Sequence, residues 1–421
     1  MRCRHCESLV DTLFLDLGSS PPSNAYLTSE QLLIPERWYP LRVYVCAHCW
    51  LVQTEDYAHF GELFPDDYAY FSSYSTSWLD HARCYATETT TRFALGDESK
   101  VVEVASNDGY LLQYFAEKQI PCLGIEPTAS TAAAAREKGI EVVERFFGRD
   151  LASELAAAGH SADLMAANNV LAHVPDINDF VSGFARLLKP TGVATFEFPH
   201  LMRLVEHCQF DTVYHEHFSY LSLTAVAAIF TSNGLAIFDV EELPTHGGSL
   251  RVFAQRADAG SRLRSPAVQR LLDAEDAAGV RTLGYYAGFQ PRAERIKHEL
   301  LTFLLEVRKS SASIGAYGAA AKGNTLLNFA GVRPDLLPWA VDRNPAKQGR
   351  FLPGSRIPVV DEAHLMRQCP DFVLVLPWNL MSEVERQLAY VGEWGGALVR
   401  AVPRLEVSAQ KPAGSSGGKP R

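Results

Sequence analysis

The sequence predicts an α/β protein built in three parts, and three observations carry that reading. Two Cys-x-x-Cys pairs lie near the N-terminus, a strand–turn–helix–strand pattern begins at Val101, and a second such pattern with a glycine-rich turn begins at Ser313. A chain of 421 residues is too long for one hydrophobic core and should divide into domains. Its 47% hydrophobic and 21% charged content is ordinary for a folded soluble protein. No apolar run reaches the length of a membrane span, and Met1-Arg-Cys-Arg-His-Cys6 lacks the apolar core of a signal peptide. A cytoplasmic protein with no membrane partner is therefore expected. The net charge of −10 argues against nucleic acid, which needs a basic stripe, but an anionic small substrate needs only local basic residues.

The first part is placed at residues 1–67. Cys3, Cys6, Cys46 and Cys49 form two knuckles that can bring four thiolates around one tetrahedral zinc ion. In a cytosolic protein this spacing favours metal over disulfide, with redox cysteines as the alternative. Four protein ligands leave no open position for a catalytic water, so such a zinc holds the fold. Cys84, Cys122, Cys208 and Cys369 have no comparable partners and read as buried thiols. An aromatic, hydroxyl-rich segment from Phe64 to Trp78 then leads into a helix through His81 and Tyr85, and either lines a pocket or supplies packing and caps.

The second part is placed at residues 68–258. Val101 to Ala105 reads as a strand, Ser106-Asn-Asp-Gly109 as a turn, Tyr110 to Lys118 as a helix, and Cys122 to Ile125 as a strand ending at Glu126. This is the layout of a nucleotide-binding βαβ unit, in which a later acidic residue takes the ribose hydroxyls. With one glycine, the turn is poorly suited to a pyrophosphate. A ligand with adenosine and ribose but no phosphate fits better, and S-adenosylmethionine is such a ligand. The candidate contacts are Glu103, Ser106, Asn107, Asp108, Gly109, Glu126 and Asn168, with Glu103 facing the ammonium and carboxylate region. Strands from Asp163 and Gly192, followed by Gly234 to Val240 and Ser249 to Gln255, complete a Rossmann-like, class I methyltransferase sheet, and His173 falls after one of its strands.

Tyr214-His-Glu-His217 places four proton-handling groups in consecutive positions. A tyrosine, a carboxylate and two imidazoles cover neutral pH between them. Taken alone, the run could also be a polar turn, or a metal site using His-x-His.

The third part, at residues 259–408, is read as a smaller α/β, nucleotide-binding-like domain. A helical stretch from Ser265 to Val307 leads to the strand Ser313 to Tyr317 and the turn Gly318 to Gly323. Lys322 and Asn324 can offer a diphosphate a cation and an amide near a helix start, with Arg343 and Lys347 also available. The tail 409–421 reads as disordered.

The ordered set of motifs resembles the sugar C-methyltransferases that act on nucleotide-linked 4-keto-deoxyhexoses in antibiotic pathways. The motifs are Cys3-x-x-Cys6, Pro21-Pro-Ser-Asn-Ala-Tyr-Leu27, Cys46-x-x-Cys49, Glu103-Val-Ala-Ser-Asn-Asp-Gly109, Tyr214-His-Glu-His217, His246-Gly-Gly-Ser-Leu-Arg251 and Gly315-Ala-Tyr-Gly-Ala-Ala-Ala-Lys-Gly-Asn324. The resemblance implies a zinc domain, a central S-adenosylmethionine domain and a C-terminal domain that helps hold a sugar nucleotide, commonly dTDP-linked. It adds Asn24, Tyr26, Ser249, Arg251 and Tyr317 to the candidate substrate contacts. The implied reaction is methylation at C3 through an enolate. His217 would be the base and Tyr214 its competitor, Glu216 would orient an imidazole or donate to the enolate, and Tyr68 and His173 would form the polar wall around the ketone. A monomer suffices for such chemistry. The alternatives are methylation at C5, an NADPH-dependent 4-ketoreductase acting instead or in addition, and a non-catalytic nucleotide-sugar binding protein. The ketoreductase lacks a second complete dinucleotide fingerprint.

Overall fold

The computed structural model describes residues 1–57 and 71–409. They form two compact units, each assembled from separated stretches of chain. The first comprises Met1–Leu13, Tyr44–Met202 and His217–Tyr286; the second comprises Phe14–Val43, Arg203–Glu216 and the chain from Ala287 onward. Strands are numbered along the chain. In the second unit β1 (Thr12–Ser20) lies beside β2 (Tyr39–Val45), and in the first β3 (Val52–Thr54) pairs antiparallel with β9 (Ser219–Tyr220).

The first unit is organised by a seven-stranded sheet. Its strands are β4 (Val101–Val104), β5 (Cys122–Ile125), β6 (Val142–Val143), β7 (Ala162–Asn168), β8 (Leu188–Pro199), β10 (Leu235–Leu243) and β11 (Ser249–Arg256), in the order β10-β11-β8-β7-β4-β5-β6. Pairing is parallel from β8 through β6, while β11 runs antiparallel to both its neighbours. Alternation along the strands explains the two layers. Val102, Val104, Met165 and Ala167 join one apolar cluster, while Val101, Leu164 and Ala166 join another. Cys3, Cys46, Cys49 and Leu51 belong to the first of these clusters, so the cysteine module shares a core with the sheet.

One local expectation changes. The helix expected from Tyr110 to Lys118 contracts to Gln113–Ala116, and residues 107–112 are turns. Tyr110, Leu111, Leu112 and Phe115 are all buried, so that apolar run fills the core beneath a turn instead of forming one face of a longer helix. Two of the thiols expected to be buried, Cys84 and Cys369, are exposed.

The second unit contains β12 (Ile314–Tyr317), β13 (Ala340–Val341), β14 (Val359–Val360), β15 (Phe372–Val375), β16 (Ala397–Arg400) and β17 (Glu406–Ala409), in the order β14-β13-β12-β15-β16-β17. The first five are parallel and β17 is antiparallel. In chain order the parallel strands therefore run 3-2-1-4-5, the order of a dinucleotide-type sheet. The helix Ala321–Ala330 follows the turn after β12. Among the described residues, no helix is long and apolar enough to cross a membrane.

Candidate active site

The four N-terminal thiols meet. All their Sγ atoms lie within 4.8 Å of one another, with Cys3 and Cys49 3.5 Å apart and Cys6 and Cys46 3.6 Å apart. Four bonds of about 2.3 Å to a tetrahedral zinc place sulfurs about 3.8 Å apart, so the site fits that ion. The knuckles are built alike. Glu7 and Trp50, each following a second cysteine, are left-handed (φ 60° and 63°) and donate to the carbonyls of Cys3 and Cys46. Gln53 Nε2 donates to Cys3 Sγ at 3.2 Å. The hydrogen bond between Cys49 and Cys3 holds the Cys3 thiol down at about 4 and pushes that of Cys49 up, so Cys3 is the thiol of this pair that gives up its proton first.

At the carboxyl ends of β4, β5 and β7 the first unit builds a second site. Ala105, Asn107 and Gly109 are left-handed (φ 59°, 49° and 74°), and a Cβ on Gly109 would stand 2.4 Å from Ile140 Cδ1. The glycine thus serves both conformation and close packing. Glu126 accepts the Asn107 amide on Oε2 and the Thr128 amide on Oε1, both at 2.9 Å. Each oxygen keeps acceptor capacity for a hydroxyl, and a ribose presents two. Asn107 Oδ1 accepts the Ser72 amide at 2.9 Å, and Asp108 pairs with Lys138 at 3.3 Å. Ser106 Oγ and Asn168 Oδ1 are buried without a partner. Glu103 is fully buried in β4; burial drives its carboxyl well above the usual range, opposed by the Tyr110 hydroxyl. These acceptors suit a ligand bearing hydroxyl and ammonium donors, as S-adenosylmethionine does.

His173 sits in the turn Leu171–His173 after β7. The His217 ring lies 4.5 Å from it at 69°, and Tyr220 meets His217 edge-on at 5.9 Å. The Phe218 amide donates to the Ala172 carbonyl at 2.8 Å, which fastens the two segments. Two imidazoles therefore meet beyond the carboxyl end of a parallel sheet, where such folds bind ligands.

A further cluster joins the aromatic segment at Trp78 and His81 to the His246 motif, for whose histidine the sequence assigned no role. His246 and Asn169 are both left-handed (φ 54° each), and Asn169 Nδ2 lies 3.2 Å from His246 Nε2. The Trp78 ring is 5.3 Å from His246, 4.8 Å from His81 and 5.9 Å from Tyr110. Strained, non-glycine backbone tends to mark functional ground. The available signals were the Asn168–Asn169 doublet at a strand end and a histidine before two glycines. His81 Nε2 reaches Glu197 Oε2 at 2.8 Å. Burial alone would raise Glu197, but His81 and Arg251 hold its carboxyl below the usual value.

That pairing corrects the expectation for Arg251. It stands opposite Glu197 in the β11–β8 register, is buried, and donates to Glu197 at 2.9 Å with its guanidinium 4.8 Å from the Tyr85 ring. The guanidinium is occupied by a cross-strand ion pair. Ser249 is buried too, donating to the Thr245 carbonyl at 3.0 Å.

In the second unit, Glu216 is buried and accepts Asn24 Nδ2 at 2.6 Å; burial pushes its carboxyl up to about 7. His215 Nε2 lies 3.3 and 3.2 Å from the carbonyls of Tyr39 and Pro40, and burial lowers its pKa. It is thus directed at backbone. Tyr214 is half-buried.

The turn after β12 is firmly held. Gly318 is left-handed (φ 85°), and a Cβ there would stand 2.5 Å from Pro377 Cδ. Asp342 accepts the Ala319 amide on Oδ2 and the Asn344 amide on Oδ1, both at 2.8 Å. Tyr26 Oη and Lys347 Nζ donate to the Ala319 carbonyl at 2.5 and 2.8 Å. Lys322 donates to Asn379 Oδ1 at 2.6 Å and lies 4.7 Å from the Trp378 ring; desolvation lowers its ammonium to about 8. Tyr317 donates to Gln387 at 3.1 Å, and Arg343 is largely exposed. Asn324 departs from expectation. It is fully buried and donates to the Ser23 carbonyl at 2.6 Å, because its helix position faces the core and not the turn. Tyr68 lies outside the described residues.

Three family models match the chain: a zinc binding domain over residues 3–64, a methyltransferase domain over 78–240, and a C-methyltransferase C-terminal domain over 244–403. The chain is similar to C-methyltransferase NovU of Streptomyces niveus, at 33% identity over 407 residues that cover 96% of each protein. Among solved structures it is similar to magnesium protoporphyrin IX methyltransferase of Synechocystis PCC 6803, at 16% identity over 43% of this chain and 78% of that one (TM-score 0.32). It is also similar to the PH0226 protein of Pyrococcus horikoshii OT3, at 13% identity over 48% of this chain and 99% of that one (TM-score 0.36). With a curated relative matched from end to end and models covering all three parts, the chain belongs to the family its motifs resemble, the S-adenosylmethionine-dependent sugar C-methyltransferases.

Proposed function

We propose that the enzyme methylates C3 of a dTDP-linked 4-keto-deoxyhexose. The observation that carries this is the His173–His217 pair beyond the carboxyl end of β7, on the same sheet as the Glu126 site. When bound, S-adenosylmethionine supplies an electrophilic methyl group, with Glu126, Ser106, Asn107 and Asn168 as its holders. A proton next to a ketone is acidic enough for an imidazole to remove, because the resulting charge moves to oxygen. His217 takes that proton and becomes imidazolium. Glu216, protonated near neutrality, donates a hydrogen bond to the enolate oxygen, with His173 in the surrounding wall and Tyr214 as the competing acceptor. Attack of the enolate carbon on the donor's methyl group would break the sulfonium C–S bond and leave S-adenosylhomocysteine, and the imidazolium returns its proton to solvent. Lys322, Lys347 and the Gly318 turn receive the diphosphate, with Asn24, Tyr26 and Tyr317 as further contacts.

The test is the product formed from a panel of dTDP-4-keto-deoxyhexoses with S-adenosylmethionine. The expected outcome is one added methyl, located at C3 by NMR. Methyl at C5 would move the reaction to the other enolisable carbon, and no consumption of the methyl donor with any sugar would overturn the reading. The 3-2-1-4-5 order of the second sheet favours examining 4-ketoreduction as well. Loss of the ketone on adding NADPH alone would support it.

A further inference from the structure

We infer that Asp211 and Trp378 are positioning residues that set the acid/base segment through a buried indole–carboxylate hydrogen bond. Trp378 Nε1 donates to Asp211 Oδ2 at 2.6 Å, and Asp211 is fully buried in the short helical turn Phe210–Thr212 that leads directly into Tyr214, His215 and Glu216. A second tie accompanies it. Thr325 Oγ1 donates to the Val213 carbonyl at 2.8 Å, so the segment is fastened on both sides of Thr212 to elements that follow β12 and β15.

Loop anchoring does not by itself call for a carboxylate. A buried carboxylate costs free energy unless its oxygens are well partnered, and apolar contact would hold a turn at less cost. Asp211 Oδ1 finds no hydrogen-bond partner beyond its own residue. Burial accordingly raises Asp211 to about 6, while the positive charge of Lys322 acts against that rise. Lys322 shares the same neighbours, donating to Asn379 and lying over the Trp378 ring. The three side chains thus form one electrostatic set, linking the glycine-rich turn to the segment carrying Glu216. No catalytic contact is assigned to Asp211 or Trp378; they act through the backbone that follows Asp211.

The inference rests on the acid/base reading of Tyr214 to His217, and the experiment separates the two. In the full-length enzyme, Trp378→Phe removes only the indole donor and Asp211→Ala removes the acceptor. Each should lower kcat about 10- to 100-fold while leaving S-adenosylmethionine affinity within about twofold, the pattern of a lost transition-state geometry. The double variant should lose no more than the worse single one, because both act through one bond. Asp211→Asn keeps an acceptor and should recover most of the loss. Solvent exchange of the sugar C3 hydrogen, measured without methyl donor, should fall in step with kcat. Near-normal kcat in Trp378→Phe, multiplicative losses in the double variant, or a defect confined to KM would overturn the positioning role. Should Asp211→Ala fail to fold, Trp378→Phe decides alone. If His217→Asn retains full turnover, the acid/base reading falls instead.

Discussion

The two units solve the same local problem with different chemistry. After β4 the chain turns, and Glu126 at the end of β5 accepts the amide of Asn107 in that turn and the amide of Thr128 two residues beyond itself. After β12 the chain turns again, and Asp342 at the end of β13 accepts the amide of Ala319 in that turn and of Asn344 two residues beyond itself. The backbone logic is shared, but the charge is not. Glu126 gives the first site a carboxylate, burial favours the neutral acid at Glu103, and Lys138 is taken up by Asp108. The second has Lys347 3.7 Å from Asp342, with Lys322 after the same turn. An acid-ended βαβ unit therefore does not specify its ligand. A carboxylate whose neighbouring lysine is already paired suits a cationic, phosphate-free ligand; lysines beside the same frame suit a diphosphate.

The largest expected effect tests whether proton removal belongs to the first unit. His217→Asn should lose roughly two to four orders of magnitude in turnover while still binding S-adenosylmethionine by calorimetry. Next, Glu126→Gln should weaken S-adenosylmethionine by about 10- to 100-fold, as expected for lost hydrogen bonds to a charged group, with dTDP affinity unchanged. Equal weakening of both ligands would erase the division of labour drawn above. Lys322→Met should act the other way, weakening dTDP about tenfold and flattening the salt dependence of its binding. Unchanged dTDP affinity would remove the lysine from the diphosphate site.

The smallest effect concerns pH. Glu216 is raised to about 7 by burial, so the protonated donor is lost as pH rises through that value. Turnover should then decline on an alkaline limb, by about tenfold per pH unit at full slope. Glu216→Gln should abolish that limb, because an amide still donates and does not titrate. For stability the sign is also negative with rising pH. The folded state holds this proton more tightly than an ordinary carboxyl near 4.5, so its contribution is lost between about 4.5 and about 7.

What could be read in advance was local. Cys-x-x-Cys pairs, the short apolar strands from Val101 and Cys122, and the turn before Lys322 are patterns of a few residues, and each falls where its composition indicates. What could not be read depends on pairing between distant segments. Arg251 looked like a substrate contact until the β11–β8 register set it opposite Glu197. Asn324 looked available until its helix turned it inward to Ser23. The Trp378–Asp211 bond joins residues that no spacing rule connects, and the pairing of His246 with Asn169 on left-handed backbone is visible only in the fold. Apolar periodicity misled at Tyr110 to Lys118, where burial without helical continuity yields the same composition.

The interleaving of the two units has a consequence for synthesis. The first unit draws on His217–Tyr286 and the second on both Phe14–Val43 and the chain beyond Ala287, so neither is complete when its opening residues leave the ribosome. Loop closure over such separations precedes the contacts that reward it, and folding becomes slower and more exposed to aggregation. The early β1 and β2 strands must wait for the late β12 to β16 sheet of their own unit. A fragment cut at Met202 would lack β10 and β11, leaving an edge of β8 unpaired. Expression of isolated domains should therefore yield insoluble protein, and the enzyme is expected to mature only after nearly all of its chain has emerged.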